Sequence, residues 1–426
     1  MTDQGPRIDL RRHFRPGLPE PAQPFTGLPR FNFVFGHNDP DQVPAAELAD
    51  AVARVIGESG HLLGMYNLGQ SPQGHDRLRN FVAAKLRRRS GIACRPEDVV
   101  LTSGSLQAMD LVNNLLIAPG DTVILEEFTY GGAIGKVGRL GGRVVGAPLD
   151  ERGIRIDALR DILARLRADG VTPKYIYTIP TVQNPTGSIM TLERRHALLS
   201  LAREYGVPIF EDECYADLVW SGERPPALYA LSPTEVIHVG SFSKSLAPAL
   251  RIGYIVADWP VLGTILATKT DAGSGALAQM VVAEYVSRDF DAHLSTLTEA
   301  LKVKLDATVE ALSREFGTAA ELFVPEGGIF LWLKLPDGVD VRTFAAPALR
   351  AGLAFNPGPE WACDPESAKS YIRLCFALPS VADIQAGVAE LARICFEHTG
   401  IPERSGNRNR LATAPEAALP SGAYMM

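Results

Sequence analysis

The fold prediction starts from one stretch of the chain, Val236-Ile237-His238-Val239-Gly240-Ser241-Phe242-Ser243-Lys244-Ser245. It begins with a short β-branched run and ends in serines and a lysine, as a strand does when it leads into a polar loop. Comparable apolar runs alternate with helical patterns at 99–101, 122–125, 144–145, 175–179, 208–210, 236–239 and 252–256. Most of these runs are apolar throughout, which is typical of strands that helices cover on both faces. We therefore predict an α/β fold with a mainly parallel seven-stranded sheet covered by helices.

The rest of the chain predicts further regions around this sheet. Residues 1–30 are rich in proline and arginine without apolar periodicity, and they predict an N-terminal arm. A long amphipathic segment and two strand-like stretches, 328–335 and 371–377, predict a second, smaller α+β domain, to which we also assign the N-terminal end of the chain. We assign 61–289 to the large domain and 31–60 with 290–400 to the small one. Residues 401–426 are small and polar and predict a flexible tail.

Composition excludes several classes of protein. Of 426 residues, 46% are hydrophobic and 21% are charged, as in an ordinary soluble globular protein. The net charge of −7 and the scattered basic residues argue against nucleic acid as a partner. The N-terminus lacks the apolar segment of a signal peptide, and no apolar stretch has membrane-spanning length. We therefore expect a cytoplasmic protein without a membrane partner.

The cysteines and histidines predict neither disulfides nor a metal site. No two cysteines form a CxxC pair, and all five are interpreted as idle thiols in a reducing compartment: Cys94, Cys214, Cys363, Cys375 and Cys395. The eight histidines show no H-x-x-x-H pattern and no cluster with cysteines. We therefore expect no metal.

Polar segments follow four of the predicted strands. They are Thr102-Ser103-Gly104-Ser105, the stretch 180–187, Glu211-Asp212-Glu213, and the stretch 240–245 with Arg251 close behind. Taken singly, each has a plain interpretation as a helix N-cap, a turn, an exposed acidic loop or a surface loop. In a parallel sheet, however, ligands bind beyond the carboxyl ends of the strands, so the four segments are expected to meet at one edge.

Together these segments predict a pyridoxal phosphate site. A Ser/Gly turn at a helix N-terminus, further serines and an arginine suit the phosphate. Lys244 can form a Schiff base with the cofactor aldehyde, and a carboxylate can keep the pyridine nitrogen protonated so that the ring accepts electrons.

The same motifs resemble those of a known family. The chain carries, in order, Thr102-Ser103-Gly104-Ser105-Leu106-Gln107, Asn184-Pro185-Thr186-Gly187, Asp212-x-x-Tyr215, Ser241-Phe242-Ser243-Lys244 with Arg251-Ile252-Gly253, and Gly327-Gly328-Ile329-Phe330. This series resembles the class I/II aminotransferases of fold type I, most nearly the 2-aminoadipate and kynurenine aminotransferases. The resemblance runs from about Phe31 to about residue 398. It implies the PLP-dependent transferase fold, pyridoxal 5'-phosphate as the cofactor, and a homodimer.

The resemblance also implies a role for each matching residue. Lys244, Asp212 and Tyr215 would be catalytic, with Asp212 as the partner of the pyridinium nitrogen. Asn184 and Tyr215 would hydrogen-bond the cofactor 3-oxygen, and Tyr130 would stack on its ring. Arg373 would bind the substrate α-carboxylate by a bidentate pair, with Asn184 also at the substrate. The residues around the phosphate would be Gly104, Ser105, Leu106, Ser241, Ser243 and Arg251.

Three segments depart from the family pattern. Phe128 stands where proline is usual before the ring-stacking residue, which should alter the loop more than the chemistry. Either Tyr66 or Gln70 matches the residue that reaches the phosphate of the neighbouring subunit. In the N-terminal substrate segment, Gly36, His37 and Asn38 would contact the substrate. His37 and Asn38 could meet an unusual substrate, or only cap the turn before the proline that follows.

We therefore expect a homodimeric enzyme that moves an amino group from an L-amino acid to a 2-oxo acid with ping-pong kinetics. The first alternative keeps the cofactor and changes the reaction to β-elimination, racemisation, decarboxylation or oxidation. The second is a ligand-sensing domain of a transcription regulator. Such regulators carry a DNA-binding domain ahead of this one, for which residues 1–30 are too few. The identity of the substrate stays open.

Overall fold

The computed structural model describes residues 8–14, 16–18, 21–22, 24–25, 27–220 and 224–403. Parts of the predicted N-terminal arm and nearly all of the predicted tail lie outside these residues. The helices are α1 (Ala45–Ser59), α2 (Asp76–Ser90), α3 (Ser105–Leu116), α4 (Gly131–Arg139), α5 (Ile156–Ala168), α6 (Leu192–Tyr205), α7 (Leu228–Leu231), α8 (Trp259–Thr268), α9 (Ala276–Phe316), α10 (Arg342–Arg350) and α11 (Val381–Thr399). The strands are β1 (Phe31–Asn32), β2 (Val99–Thr102), β3 (Thr122–Glu126), β4 (Arg143–Ala147), β5 (Leu149–Asp150), β6 (Gly153–Ile154), β7 (Ile176–Thr178), β8 (Ile209–Asp212), β9 (Val236–Ser241), β10 (Gly253–Val256), β11 (Glu321–Leu322), β12 (Phe330–Lys334), β13 (Leu353–Ala354), β14 (Asn356–Pro357) and β15 (Tyr371–Cys375).

The central sheet has seven strands in the order β2-β10-β9-β8-β7-β3-β4. Strand β10 runs antiparallel to both of its neighbours, and the other neighbouring pairs are parallel. Helices α2, α3, α4, α5 and α7 pack against its strands. The predicted fold class, a mainly parallel seven-stranded sheet covered by helices, is confirmed.

The central strands are buried because both faces of the sheet are covered. All residues of β2, β3, β7, β8 and β9 are buried, which explains why their sequences are apolar runs rather than alternating ones. The apolar pattern gives way to polar side chains at the carboxyl ends of the parallel strands, where Glu126, Asp212 and Ser241 are polar but also buried. These ends lie at one edge of the sheet, because the register pairs Thr178 with Glu211 and Asp212 with Val239.

A second sheet lies in the C-terminal part of the chain. Its four strands follow the order β11-β12-β15-β14 and are antiparallel. The N-terminal end joins this part of the chain, since β1 pairs with β13 through Phe31 and Leu353, and α1 and α11 both pack on α9. The predicted boundary at residue 289/290 falls inside α9, so this single helix would link the two domains. The division into domains stays a prediction.

Local signals fix the ends of several helices. The Thr191 side chain accepts a hydrogen bond from the N–H of Arg194 at the start of α6, and Ser380 does the same for Asp383 at the start of α11. Glycines in the left-handed region end α2 and α11, at Gly91 and Gly400. In the described part of the chain, no helix combines the length and the apolar character that crossing a bilayer requires.

Candidate active site

Lys244 lies in the loop after β9, at the edge where the parallel strands end. Its Nζ donates a hydrogen bond to the carbonyl oxygen of Gly36 over 2.6 Å. A Cβ atom on Gly36 would collide with this amine, so only glycine lets the backbone approach so closely. Burial lowers the pKa of Lys244; the thiols Cys375 and Cys214 oppose this, and the guanidinium groups of Arg373 and Arg251 add to it. The lysine is thus biased toward the neutral amine.

Asp212 ends β8 and is 5% exposed. Its Oδ1 accepts the backbone N–H of Cys214 at 3.2 Å, and its Oδ2 accepts the hydroxyl of Tyr177 at 2.8 Å. Burial raises the pKa of Asp212, and these hydrogen bonds oppose that rise. The site therefore contains a buried carboxylate, each oxygen of which accepts a hydrogen bond from a neighbouring residue.

Arg373 lies in β15 of the second sheet and is 2% exposed. It donates to Asn184 Oδ1 over 3.1 Å, to Asn356 Oδ1 over 2.8 Å and to the carbonyl oxygen of Phe35 over 3.0 Å. Its Nε is buried and has no hydrogen-bond partner among the described residues. Burial lowers the pKa of Arg373 to about 10, so the guanidinium keeps its charge at neutral pH. It is a buried cation with a donor left for an anion.

Two aromatic rings hold the guanidinium of Arg373 from either side. Its Cζ lies 3.9 Å from the ring centre of Phe330 and 3.6 Å from that of Trp361. Such contacts stabilise a cation, most of all where water is excluded. Asn184 joins this group to Tyr215, because its Nδ2 donates to the Tyr215 hydroxyl over 3.3 Å.

The predicted phosphate-binding residues lie around the N-terminus of α3. The N–H groups of Ser105 and Leu106 have no acceptor within the helix, because they belong to its first turn. Arg251 donates to the carbonyl oxygen of Ser103 over 3.1 Å, and a Cβ on Gly104 would collide with its guanidinium.

The two serines of the Lys244 loop are hydrogen-bonded to each other. The Ser241 hydroxyl lies 2.9 Å from that of Ser243 and also accepts the N–H of Ser243 at 3.0 Å. With Arg251 and the start of α3, they supply several hydrogen-bond donors and one charge. This donor set suits a phosphate monoester.

Tyr130 precedes α4 and packs on Trp361, with ring centres 5.8 Å apart. A Cβ on Gly132 would collide with the Tyr130 ring, so the start of α4 lies directly against this ring. Neighbouring parts of the fold therefore supply hydrogen-bond donors for a phosphate, an amine of lowered pKa, a buried carboxylate and an aromatic ring. The chemistry of these groups fits pyridoxal phosphate.

Comparison with known proteins supports this interpretation of the geometry. Residues 33–391 match the model of the family described as aminotransferase class I and II. The chain belongs to this family. This aminotransferase therefore depends on pyridoxal phosphate and is a transferase of amino groups.

Individual relatives of this aminotransferase cover most of its length. It is 34% identical to the 2-aminoadipate transaminase of Thermus thermophilus over 85% of this chain and 89% of that protein. A solved kynurenine aminotransferase of Pyrococcus horikoshii superposes with a TM-score of 0.82 at 31% identity, over 88% and 92% of the two chains. The HTH-type transcriptional regulator YisV of Bacillus subtilis is 32% identical over 84% of this chain and 72% of that protein.

Some predicted site residues of the aminotransferase lie apart from this cluster. Tyr66 is 85% exposed, and no contact among the described residues joins it to Lys244 or Arg251. Gln70, the alternative at the same alignment position, accepts the N–H of Asp76 at 3.1 Å. Among the described residues, no hydrogen bond joins either side chain to the groups proposed to bind the phosphate.

The N-terminal substrate segment does reach the cluster. Asn38 donates to the carbonyl oxygen of Leu246 over 3.1 Å and lines a small cavity with Lys244 and Lys304. His37 packs on Phe35, and its Nε2 is buried without a partner among the described residues. Burial lowers the pKa of His37, and the nearby Lys244 lowers it further.

Sequence reasoning missed several residues of the site. Tyr177 hydrogen-bonds Asp212, and Asn356 hydrogen-bonds Arg373. Trp361 stacks on the Arg373 guanidinium, and Glu126 accepts a hydrogen bond from Gln183, next to Asn184. Gln183 directly precedes the Asn184 motif, so its position offered a weak signal, whereas Asn356 and Trp361 belong to no motif that the sequence analysis identified. Tyr177 lies inside an apolar strand and Glu126 ends one, and in both cases a polar group that must find a buried partner was the available signal.

Proposed function

We propose that this aminotransferase takes the amino group from an L-amino acid and passes it to a 2-oxo acid, with Lys244 as the proton-carrying amine and Arg373 as the carboxylate-binding cation. The observation that carries the proposal is the meeting of these two groups with Asp212 and Asn184 at one edge of the sheet. When bound, pyridoxal phosphate supplies the carbonyl that receives the amino group and the ring that withdraws electrons from Cα.

Lys244 would act as general base and general acid at the substrate Cα. Burial and two neighbouring guanidinium groups lower its pKa, which increases the fraction of neutral amine available to accept a proton. The hydrogen bond to the Gly36 carbonyl oxygen holds this amine in place at 2.6 Å. This contact also places Lys244 near His37 and Asn38. We propose that Gly36, His37 and Asn38 contact the substrate.

Arg373 would bind the substrate α-carboxylate. Its unpartnered Nε–H is a donor for one carboxylate oxygen, while the rings of Phe330 and Trp361 fix the plane of the guanidinium. Its contacts with Asn184 and Asn356 hold its other nitrogens. A carboxylate bound there presents its Cα to the same edge of the sheet as Lys244.

The remaining residues would hold the cofactor. Asp212 would pair with its ring nitrogen, and Asn184 and Tyr215 would hydrogen-bond its 3-oxygen. Tyr130 would stack on the ring. The phosphate would bind to the N–H groups at the start of α3 and to the side chains of the Lys244 loop: Gly104, Ser105, Leu106, Ser241, Ser243 and Arg251.

We further propose a homodimer in which the Tyr66 segment completes the site of the partner subunit. The 85% exposure of Tyr66, a large aromatic side chain, supports this. We propose that residues 61–289 form the cofactor-binding domain and that 31–60 and 290–400 form the smaller one. Five unpaired cysteines support a cytoplasmic location.

A half-reaction experiment tests the proposal. Cofactor-loaded protein mixed with an L-amino acid and no acceptor should release one equivalent of 2-oxo acid per site and then stop. After gel filtration, an added 2-oxo acid should be converted to one equivalent of amino acid. Lys244→Ala should abolish both halves, and Lys302→Ala, at a side chain that is 53% exposed, should leave both unchanged.

Other outcomes would identify the alternatives. Continuous release of ammonia, carbon dioxide or peroxide without need of an acceptor would indicate elimination, decarboxylation or oxidation. Cofactor binding without turnover for any amino acid would favour a ligand-sensing role, to which the similarity with regulator YisV gives specific support.

A further inference from the structure

Tyr177 contacts the buried acid of the site from a neighbouring strand. It lies in the middle of β7, is 1% exposed, and donates its hydroxyl to Asp212 Oδ2 over 2.8 Å. The register pairs Tyr177 with Phe210 of β8, and the two rings meet edge to face with centres 5.3 Å apart. The sheet and this ring contact therefore fix the position of the hydroxyl.

The direction of this hydrogen bond follows from the surroundings. Burial raises the pKa of Tyr177 well above its ordinary value, and the charge of Asp212 raises it further. The phenol therefore stays protonated and donates. The other carboxylate oxygen accepts the N–H of Cys214 at 3.2 Å. Each oxygen of Asp212 thus has a fixed donor, and the plane of the carboxylate is set.

The hydrogen bond also affects where a shared proton resides. A donor to the charged form of a carboxylate makes that carboxylate less basic. Without the Tyr177 hydroxyl, a proton shared between Asp212 and a pyridine nitrogen would move toward Asp212. We propose that Tyr177 is a positioning residue that holds Asp212 ionised and oriented, and thereby keeps the ring nitrogen of the bound cofactor protonated. This inference rests on the role proposed for Asp212.

Tyr175 offers a matched control two residues earlier in the chain. It is 2% exposed, and its ring also meets Phe210 edge to face, with centres 5.6 Å apart. Its hydroxyl donates to Asn113 Oδ1 over 2.8 Å, not to Asp212. Tyr175→Phe and Tyr177→Phe therefore each remove the hydroxyl of a buried tyrosine packed on the same ring, and only the second alters Asp212.

The test uses protein loaded with pyridoxal phosphate that carries ¹⁵N in its ring. The nitrogen chemical shift reports protonation of the ring directly and does not depend on turnover. In Tyr177→Phe it should move toward the unprotonated value, and kcat should fall about 10- to 100-fold with KM little changed, as expected for a lost hydrogen bond to a charged group. In Tyr175→Phe the nitrogen shift and kcat should match those of the unaltered protein.

The Asp212→Asn variant separates this inference from the proposed function. If Asp212→Asn shifts the ring nitrogen while Tyr177→Phe behaves like Tyr175→Phe, only the inference about Tyr177 is wrong. If Asp212→Asn leaves the nitrogen unchanged, the role proposed for Asp212 is wrong as well. Should Tyr177→Phe fail to fold, a fluorinated tyrosine at position 177 carries the test. Its more acidic hydroxyl donates more strongly to Asp212, so the ring-nitrogen shift should move further toward the protonated value, and an unchanged shift would overturn the inference.

Discussion

The chemistry of the site depends on single side chains whose properties the fold has altered. Arg373 keeps its charge although it is buried, because two asparagines, a backbone carbonyl and two rings surround it. An isolated buried charge would be strongly unfavourable, so these partners are what permits an anion-binding cation in a dry site.

At this scale we predict the effect of Arg373→Lys. Lysine keeps the charge but loses the planar fork and its contacts with both rings, so kcat/KM for amino acids should fall about 10- to 100-fold, or about 1.5–3 kcal/mol. Steady-state kinetics measure the loss. An amine substrate that lacks the α-carboxylate is the control, and an equal loss with that amine would show that Arg373 does not bind the carboxylate.

Glu126 should make the stability of the protein depend on pH. This buried carboxyl accepts hydrogen bonds from Thr178, Ile179 and Gln183, yet burial raises its pKa from 4.5 to about 7. The folded protein then binds a proton that the unfolded chain releases, so this group makes stability fall as pH rises from about 4.5 to about 7, by about 3 kcal/mol at most.

Denaturant unfolding across this pH range checks the prediction. Glu126→Gln should remove that part of the pH dependence, and the exposed Glu151→Gln should leave it as in the unaltered protein. An identical pH slope in Glu126→Gln and the unaltered protein would contradict it.

At the scale of elements, the start of α3 is built by close backbone approach. Gly104 has φ +76° and lies directly beneath the Arg251 guanidinium, and a Cβ on Gly253 would fall 2.6 Å from the Ser105 nitrogen. Side chains at these two glycines would separate Arg251 from the free N–H groups of the helix. Both glycines are therefore required by the proposed phosphate site.

We predict that Gly104→Ala weakens cofactor binding about tenfold or more, because the added methyl group displaces Arg251 and strains the backbone. Gly206→Ala is the matched control. Gly206 also has a positive φ, +67°, but a Cβ there meets open space, so only stability should fall, by about 1 kcal/mol. Titration with pyridoxal phosphate gives both affinities, and equal affinities would contradict the proposed phosphate site.

At the scale of the whole molecule, the exposed Tyr66 predicts that sites are shared between subunits. A mixture of Lys244→Ala with an inactive Tyr66 variant should recover about a quarter of full activity, because half of the dimers are hybrids with one intact site. Lys244→Ala mixed with Arg373→Ala is the control. Both residues lie in one chain's site, so no hybrid site is intact and no activity should return. If the unaltered protein is fully active and sediments as a monomer, no site is shared.

The amino-acid sequence alone was enough to predict the strands of the central sheet and to single out the side chains to which we assign the chemistry. Lys244, Asp212 and Asn184 follow apolar runs in contiguous motifs, and a parallel sheet brings such strand ends to one edge. The sequence did not determine the direction of β10, because an apolar run is compatible with both a parallel and an antiparallel strand.

The hydrogen-bond partners of those residues follow from the tertiary fold. Gly36 meets Lys244 across 208 positions of sequence, and Tyr177 meets Asp212 across 35. Such pairs depend on strand register and on the packing of one sheet against another, which short sequence motifs do not encode. Motifs therefore predict which groups react, while packing decides their pKa values and their orientation.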